Sequence, residues 1–280
     1  MEAVSISATV LVMLSAELLF SLALPIGAIV YWKKKENVSL VPFGIGAAAF
    51  FVFAMVLEQI VHFLVLGLNT SVSDFLLSRP WLYAIYGGFV AGLLEETARF
   101  LVFRTMMRKN IGRENAVTYG LGHGGLECFL ILGMTMISNL LISVMFNSMG
   151  AEAFIAQYTP DQADAVIQSI EAINTVDPGA SIMACVERAS AMALQVELSV
   201  LVFAAVRLDK YWLYPVSILL HMGVDFFAGL YQTGMLPSLY LFEGLLVVYV
   251  IALFFVVRRV YRALPAEAPP ALDRFGRVIR

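Results

Sequence analysis

One apolar stretch, from Trp81 to Met107, reads WLYAIYGGFVAGLLEETARFLVFRTMM and contains two adjacent acids followed by a base. Glu95, Glu96 and Arg99 lie about midway along it, and no charged residue precedes them in the stretch. A charged side chain at the centre of a bilayer costs about 3 kcal/mol or more, so such residues are usually buried against partners or water. The stretch therefore predicts a membrane-spanning helix with a functional site inside it.

The composition places the whole chain in the same class. Of its 280 residues, 60% are apolar and only 14% are charged, and the mean hydropathy is +0.84. These values exclude an ordinary soluble domain, and seven segments reach the roughly 20 residues that a spanning helix needs. The predicted spans are Val4 to Trp32, Val41 to Leu68, Trp81 to Met107, Ala116 to Phe146, Ser181 to Val206, Tyr211 to Tyr231 and Pro237 to Val257. We predict an all-α, polytopic membrane helix bundle, with residues 1–264 as a single transmembrane domain.

Lysines and arginines are concentrated in alternate loops and in the C-terminal tail. They are Lys33, Lys34, Lys35, Arg104, Arg108, Lys109, Arg113, Arg207, Lys210, Arg258, Arg259, Arg262, Arg274, Arg277 and Arg280. The opposite loops contain only Arg79. Positively charged loops near the ends of spans stay in the cytoplasm. We therefore predict a multi-pass protein of the cell membrane, with its N-terminus outside and its C-terminus in the cytoplasm.

The predicted external loop, residues 147–180, is long enough to contain a helix of its own. Thr159 and Pro160 form a helix start, with a cap residue followed by proline at the first position. The apolar residues that recur at helical spacing after it are Ala163, Val166, Ile167, Ile170 and Ile173. This pattern predicts an amphipathic helix that rests on the bundle or on the lipid headgroups, with an active-site lid as the alternative. At the other end of the chain, residues 265–280 are predicted to be a flexible, basic cytoplasmic tail.

Two histidine and carboxylate pairs occur in other predicted spans. His123 and Glu127 lie four residues apart, and His221 and Asp225 repeat the spacing. Four residues is just over one helical turn, so each pair projects from one face of its helix. A histidine and a carboxylate in this arrangement can bind a metal ion or pass a proton. Two such pairs, added to the Glu95 cluster, are difficult to explain as structural hydrogen bonding alone.

The predicted topology brings these residues to similar depths in the membrane. Measured from the cytoplasmic ends of their spans, Glu95 lies at about 18 Å, His123 at about 10 to 12 Å and His221 at about 15 Å, at 1.5 Å per residue. The agreement predicts that the three side chains meet. Because these depths are measured from the cytoplasmic ends of the spans, they suggest that the site is reached from the cytoplasm.

Glycines four residues apart lie beside the polar residues. Gly88 and Gly92 precede Glu95, and Gly120 and Gly124 flank His123. Small residues at this spacing let membrane helices approach closely. We therefore expect spans three and four to meet at the polar cluster.

Three motifs follow one another along spans three to six. They are Glu95-Glu96-Thr97-Ala98-Arg99-Phe100, then Tyr119-x-x-x-His123-Gly124-Gly125-x-Glu127, then His221-x-x-x-Asp225. Their order and spacing resemble the CAAX-protease and bacteriocin-processing (CPBP) superfamily of intramembrane proteases. The Gly-His-Gly-Gly-x-Glu stretch looks most like the YhfC-type intramembrane metalloprotease family, with the PrsW proteases as relatives. The resemblance covers about half of the chain.

The resemblance implies hydrolysis of peptide bonds inside the membrane. A glutamate of the first motif would activate water, and His123 and His221 would bind a metal or stabilise the oxyanion. A carboxylate with a tuned pKa is a suitable general base, and a positioned donor can stabilise charge on the carbonyl oxygen. The spacing lets Arg99 pair with either Glu95 or Glu96, and we assign Glu95 as the base.

The third motif departs from that of CAAX-type relatives, in which asparagine stands where this chain has Asp225, and their first motif has one more residue before its arginine. Together with Glu127, the aspartate makes the cluster richer in anionic ligands, which suits Zn²⁺. The predicted metal ligands are His123, Glu127, His221 and Asp225, three of which could leave an open coordination position. A metal-free glutamate mechanism is the alternative.

Two other classes of protein compete with the protease. A proton- or ion-coupled transporter also needs buried carboxylates and histidines, but the sequence contains no repeat and no broken-helix pair. A non-catalytic immunity protein would not need the complete motif set. Glu58 and His62 repeat the four-residue spacing without matching a motif, and could line a water path. The expected partners are a membrane protein or peptide substrate and the lipid bilayer, with no nucleic acid.

Overall fold

The computed structural model of the protein describes residues 5–266, and in this part of the chain ten helices follow one another without a strand. They are α1 (Ala8–Glu36), α2 (Val41–Gly67), α3 (Ser71–Leu77), α4 (Pro80–Arg104), α5 (Glu114–Met149), α6 (Ala151–Ile155), α7 (Pro160–Asn174), α8 (Pro178–Arg207), α9 (Leu213–Gln232) and α10 (Leu239–Ala263). The predicted helix start at Val4 lies outside the described residues, as does all of the predicted tail beyond residue 266.

Six helices between residues 5 and 266 are long and apolar enough to cross a membrane, namely α1, α2, α5, α8, α9 and α10. The prediction of an all-α, polytopic membrane protein is thereby confirmed. The one remaining predicted span is the third, Trp81 to Met107, and it corresponds to α4. This helix has 25 residues but is less apolar because it contains Glu95, Glu96 and Arg99. These three side chains are buried within the bundle, so the charged groups of α4 face other helices and not lipid.

Four helix ends meet at one end of the bundle. Arg207, at the end of α8, donates hydrogen bonds from Nη2 to the carbonyl oxygens of Met107 at 2.6 Å and Asn110 at 3.1 Å, just after α4. The backbone amide of Arg113, before α5, donates to the carbonyl oxygen of Pro265, after α10, at 2.8 Å. The predicted cytoplasmic loops share this end, which we call the basic end.

The opposite end of the bundle collects the loops that lack lysine. The backbone amide of Ile6, before α1, donates to Asn147 Oδ1 near the end of α5 at 2.8 Å. The hydroxyl of Tyr240, on the first turn of α10, donates to Asp177 Oδ2, before α8, at 3.5 Å. Residues 68–79, 150–177 and 233–238 connect helices here, and we call this the acidic end.

The amphipathic helix predicted in the external loop is α7, at the acidic end. Thr159 and Gln162 form a capping box at its start, and Pro160 occupies the first helical position. Ile170 and Ile173 are buried in a cluster that includes residues of α1, α5 and α6. The prediction that this helix rests on the bundle is confirmed, because burial of its apolar face offsets the cost of ordering it.

The glycines of α4 and α5 contact other helices than the expected ones. A Cβ on Gly88 of α4 would lie 2.7 Å from the carbonyl oxygen of Met222 on α9. A Cβ on Gly120 of α5 would lie 2.6 Å from Val196 Cα on α8. The expectation that these glycines bring spans three and four together is wrong, because glycine spacing marks a close approach without naming the partner. The extensively packed pairs are α4 with α9, α5 with α8, and α2 with α5.

The close packing of α2 against α5 at a glycine can be tested by mutation. A Cβ on Gly46 would clash with the carbonyl oxygen of Tyr119, whereas one on Gly44, also on α2, would meet nothing within 4 Å. Gly46→Ala is therefore expected to lower the free energy of unfolding by about 1 to 3 kcal/mol, the usual cost of overpacking. Thermal unfolding in detergent measures this loss. Gly44→Ala is the matched control, and equal stability of the two variants would contradict the packing.

Candidate active site

The two acids of α4 turn toward different histidines. Glu95 Oε2 lies 2.8 Å from Nε2 of His123 on α5. Glu96 Oε1 lies 2.8 Å from Nδ1 of His221 on α9. Consecutive residues on a helix point about 100° apart, so one Glu-Glu pair can address two neighbouring helices at once. The structure thus brings both predicted histidines to the predicted acids.

Arg99 lies one turn further along α4 and is completely buried. Its guanidinium donates hydrogen bonds to Glu96 Oε1 and to Oε1 of Gln195 on α8. Its Nε donates to Ser199 Oγ at 3.3 Å. Glu95 Oε2 is 3.6 Å from Nη2, so Arg99 is nearer to Glu96 of the two acids. The pairing that the sequence left open is therefore mainly with Glu96.

Gln195 belongs to the site, although it matches none of the three sequence motifs. Its Nε2 donates to Glu127 Oε2 at 2.6 Å and to Glu95 Oε2 at 3.3 Å. It therefore joins the first and second motifs while its Oε1 accepts from Arg99. No sequence pattern indicated it, and only the structure shows that an added Cβ on Gly124 would lie 3.0 Å from Gln195 Cβ.

Glu127 is held by a second arginine. Arg188 Nη1, on α8, lies 3.3 Å from Glu127 Oε1, and the same guanidinium pairs with its neighbour Glu187. Each of the two buried arginines thus holds a glutamate of the cluster in place.

Asp225 lies on the same face of α9 as His221, as its spacing predicted. Its Oδ2 is 3.4 Å from His221 Nε2, and a third of its side chain is exposed. His221 Nε2 also lies 3.9 Å from Glu95 Oε2. His221 therefore stands between the cluster and an acid that water can reach.

One group of buried residues has the arrangement of a metal site. Ligand atoms of Glu95, His123 and Glu127 all lie within 4.8 Å of one another. His123 Nδ1 is buried and has no hydrogen-bond partner among the described residues. Of the four predicted metal ligands, His123 and Glu127 belong to this group, whereas His221 and Asp225 lie beside it. Histidine and glutamate oxygens are ligands that Zn²⁺ accepts.

A cavity of about 620 Å³ adjoins the cluster, and Glu95, Glu127, His221 and Asp225 line it. Glu58 and His62 of α2 line the same cavity. His62 Nε2 lies 3.3 Å from Glu58 Oε1, and its Nδ1 lies 3.1 Å from the hydroxyl of Tyr86 on α4. The pair that matched no motif therefore faces the space next to the site.

Comparison with known sequences places the chain in a family. The profile described as YhfC intramembrane metalloprotease matches residues 20–246. A Bacillus subtilis (strain 168) protein named "Uncharacterized membrane protein YhfC" is 38% identical over 233 residues, which cover 83% of this chain and 88% of that protein. No solved structure matches the chain significantly. These matches confirm the resemblance to the YhfC family, and the chain belongs to the YhfC intramembrane metalloprotease family.

Proposed function

We propose that this membrane protein hydrolyses peptide bonds of a membrane-associated protein or peptide, with Glu95 as the base that activates water. The observation that carries the proposal is the position of Glu95, which contacts His123 and lines the cavity. A carboxylate can take a proton from water when the water lies within hydrogen-bond reach. Glu96 is completely buried and is absent from the cavity lining, so it is the less suitable base.

The neighbouring residues have separate parts in this proposal. His123 and Gln195 hydrogen-bond Glu95 Oε2 and fix the orientation of the carboxylate. Arg99 binds Glu96, and Glu96 in turn binds Nδ1 of His221. This chain of contacts leaves Nε2 of His221 pointing toward Glu95 and Asp225. From there, His221 can donate a proton to the oxyanion or to the leaving amine.

The donor set also suits a metal ion, in keeping with the family description. Glu95, His123 and Glu127 supply buried nitrogen and oxygen ligands on two helices, and His221 and Asp225 stand next to them. A bound Zn²⁺ would act as a Lewis acid and would lower the pKa of water at the site. We propose Zn²⁺ as the cofactor, with a metal-free glutamate mechanism as the alternative.

Metal content tests the ligand assignment without any assay of activity. The protein purified in detergent is expected to contain about one Zn²⁺ per chain, and both His123→Ala and Glu127→Gln should remove most of it. Elemental mass spectrometry after gel filtration measures the ratio of metal to protein. His62→Ala, a histidine of the cavity outside the ligand group, should retain the metal.

The two ligand sets give different results in the same measurement. Loss of the ion in His221→Ala and Asp225→Asn would favour the set predicted from the sequence. Its retention there would favour Glu95, His123 and Glu127. Purified wild-type protein without a bound divalent metal, after preparation free of chelators, would contradict the metal proposal altogether.

Hydrolysis itself can be tested before a natural substrate is identified. N-terminal labelling of membrane proteins would compare cells that produce the protein with cells that lack it. We expect new N-termini in the cells that produce the protein. The same N-termini should appear when the purified protein is reconstituted with membrane proteins from the cells that lack it. A proton or ion flux in liposomes, without new N-termini, would instead support the transporter.

We also propose the orientation that the loop charges indicate, with the basic end in the cytoplasm and the acidic end outside. Eight basic residues in or next to the connections at the basic end support this orientation: Lys33, Lys34, Lys35, Arg108, Lys109, Arg113, Arg207 and Lys210. Positive charge near span ends is retained in the cytoplasm.

A further inference from the structure

The cavity next to the site extends in one direction only. On α4 its lining residues fall within 83–95, and on α9 within 221–232. On α2 they fall within 50–66, and on α8 within 187–195. In all four helices these residues lie between the cluster and the acidic end. The cavity therefore leads away from the basic loops, which the sequence had suggested as the side of access.

The mouth of the cavity lies at the ends of its helices. Gln232 is the last residue of α9, Leu66 is the last but one of α2, and Tyr83 lies on the first turn of α4. All three line the cavity next to the connections 68–79 and 233–238. The cavity is therefore open at the acidic end, and its mid-helix lining residues Met55 and Ile131, which are 38% and 46% exposed, bring part of its wall to the outer surface of the bundle.

The opposite side of the cluster is closed by packed aromatic side chains. Tyr119 and Phe103 are completely buried, with ring centroids 4.7 Å apart, and Phe103 contacts Phe203 at 5.1 Å. Arg99, which also has no exposed surface, lies one turn from Glu95 toward the basic end and binds Glu96. Interiors packed in this way leave few voids as large as a water molecule. Water has no comparable path from the basic end among the described residues.

Polar groups line the wall between the mouth and the site. Glu58, His62 and Tyr86 form a connected group on α2 and α4, and Asp225 and Glu187 are about a third exposed. Ionisable residues in membrane spans usually pair with one another or face a water-filled cavity. This wall suits water and an extended peptide, whose backbone amides need hydrogen-bond partners.

We propose that water and the substrate segment reach Glu95 from the acidic end, through this cavity, and that the basic end gives no access. This inference rests on the proposed function for the substrate, but the water path does not depend on it. The substrate class is a membrane protein whose scissile segment lies toward the membrane face of the acidic end. A segment presented only at the basic end would not reach the site.

Cysteine labelling from each side of the membrane tests this route without an activity assay. The background carries Cys128→Ala and Cys185→Ala, which remove both native thiols. Ala228→Cys places a thiol in the cavity lining, one turn from Asp225. An impermeant maleimide is added to intact cells or to inverted vesicles. We expect labelling of Ala228→Cys about tenfold faster from the face of the acidic end, because thiolate, the reactive form, needs contact with water.

Three control positions define the two faces and the lipid. Ser169→Cys, exposed on α7, reports the acidic end, and Thr105→Cys, exposed after α4, reports the basic end. Leu219→Cys lies on α9, as Ala228 does, but its side chain is 64% exposed on the apolar outer surface and should stay unlabelled. Labelling of Ala228→Cys from the Thr105 face, from both faces equally, or from neither would overturn the proposal.

The role of the cavity in substrate entry has its own readout. Maleimide attached to Ala228→Cys should abolish the cleavage of membrane proteins, while the same treatment of Thr105→Cys leaves it unchanged. Labelling from the acidic end without any hydrolysis by the unmodified protein would leave the water route in place and contradict only the protease. Hydrolysis that persists after complete labelling of Ala228→Cys would contradict substrate entry through the cavity.

Discussion

Glu95→Gln is expected to reduce the cleavage of membrane proteins by a factor of about 10² to 10⁴, the usual contribution of a general base. Glutamine has nearly the same shape as glutamate, and its amide oxygen can still accept a hydrogen bond from His123 Nε2, now 2.8 Å from Glu95 Oε2. It cannot take a proton from water. The fold should therefore survive while the reaction stops.

Glu197→Gln is the matched control for this loss of activity. Glu197 is a buried glutamate of α8 that lies outside the cavity lining. The substitution makes the same chemical change at a similar degree of burial, so it controls for the general cost of altering an acid in a span. N-terminal labelling of membrane proteins compares the two variants with the wild type. Full activity in Glu95→Gln would contradict the assignment of Glu95 as the general base.

Glu96→Gln separates the two acids of the first motif. Glu96 contacts Arg99 and His221 and does not line the cavity. Its loss should lower activity through the orientation of His221, and a positioning effect of this kind shifts the pH profile along with the rate. If Glu95→Gln retained activity and Glu96→Gln lost it with no shift in the pH profile, Glu96 would be the base.

Much of the fold follows from composition and local pattern. Apolar length predicts the helices, since a span needs about 20 such residues whatever its neighbours are. The cap at Thr159 and the apolar spacing after it predict α7. The convergence of His123 and His221 on the acids of α4 agrees with their similar predicted depths, because antiparallel helices of equal rise can bring matched depths together.

The sequence could not predict which helices contact one another. Gly88 and Gly120 both mark a face that another backbone approaches, yet the first contacts α9 and the second contacts α8. Any small-residue stripe fits several partners, and the choice depends on the packing of the whole bundle. Gln195 was missed for the same reason, since its role comes from the three residues that surround it and not from its spacing along α8.

The direction of the cavity is a second property that depth could not predict. The distance of Glu95 from a helix end is the same whether the cavity beside it leads to the acidic end or to the basic end. Closure on the basic side comes from Tyr119, Phe103 and Phe203, three aromatic residues on three helices. Their contact depends on tertiary packing, which periodicity in one helix does not report.

Arg99→Met is expected to cause the largest loss of stability in the molecule, about 3 to 5 kcal/mol in the free energy of unfolding. Methionine has a comparable length but removes the hydrogen bonds to Glu96, Gln195 and Ser199. Glu96, which has no exposed surface, would lose its guanidinium partner and keep only His221. Breaking a buried pair by removing one partner costs more than the pair contributes, because the remaining charge stays desolvated.

A second substitution shows whether the buried charge is the cause. Arg99→Met combined with Glu96→Gln removes both charges and should recover more than half of the lost stability in thermal unfolding, followed by tryptophan fluorescence in detergent. Arg188→Met is the control, since Arg188 and both of its acid partners, Glu187 and Glu127, line the cavity, where water can solvate the acids that remain. Equal losses in Arg99→Met and Arg188→Met, with no recovery in the double variant, would mean that shape at position 99 matters and charge does not. Arg99 would then support α8 and α4 by packing, and the orientation of His221 through Glu96 would have to come from another contact.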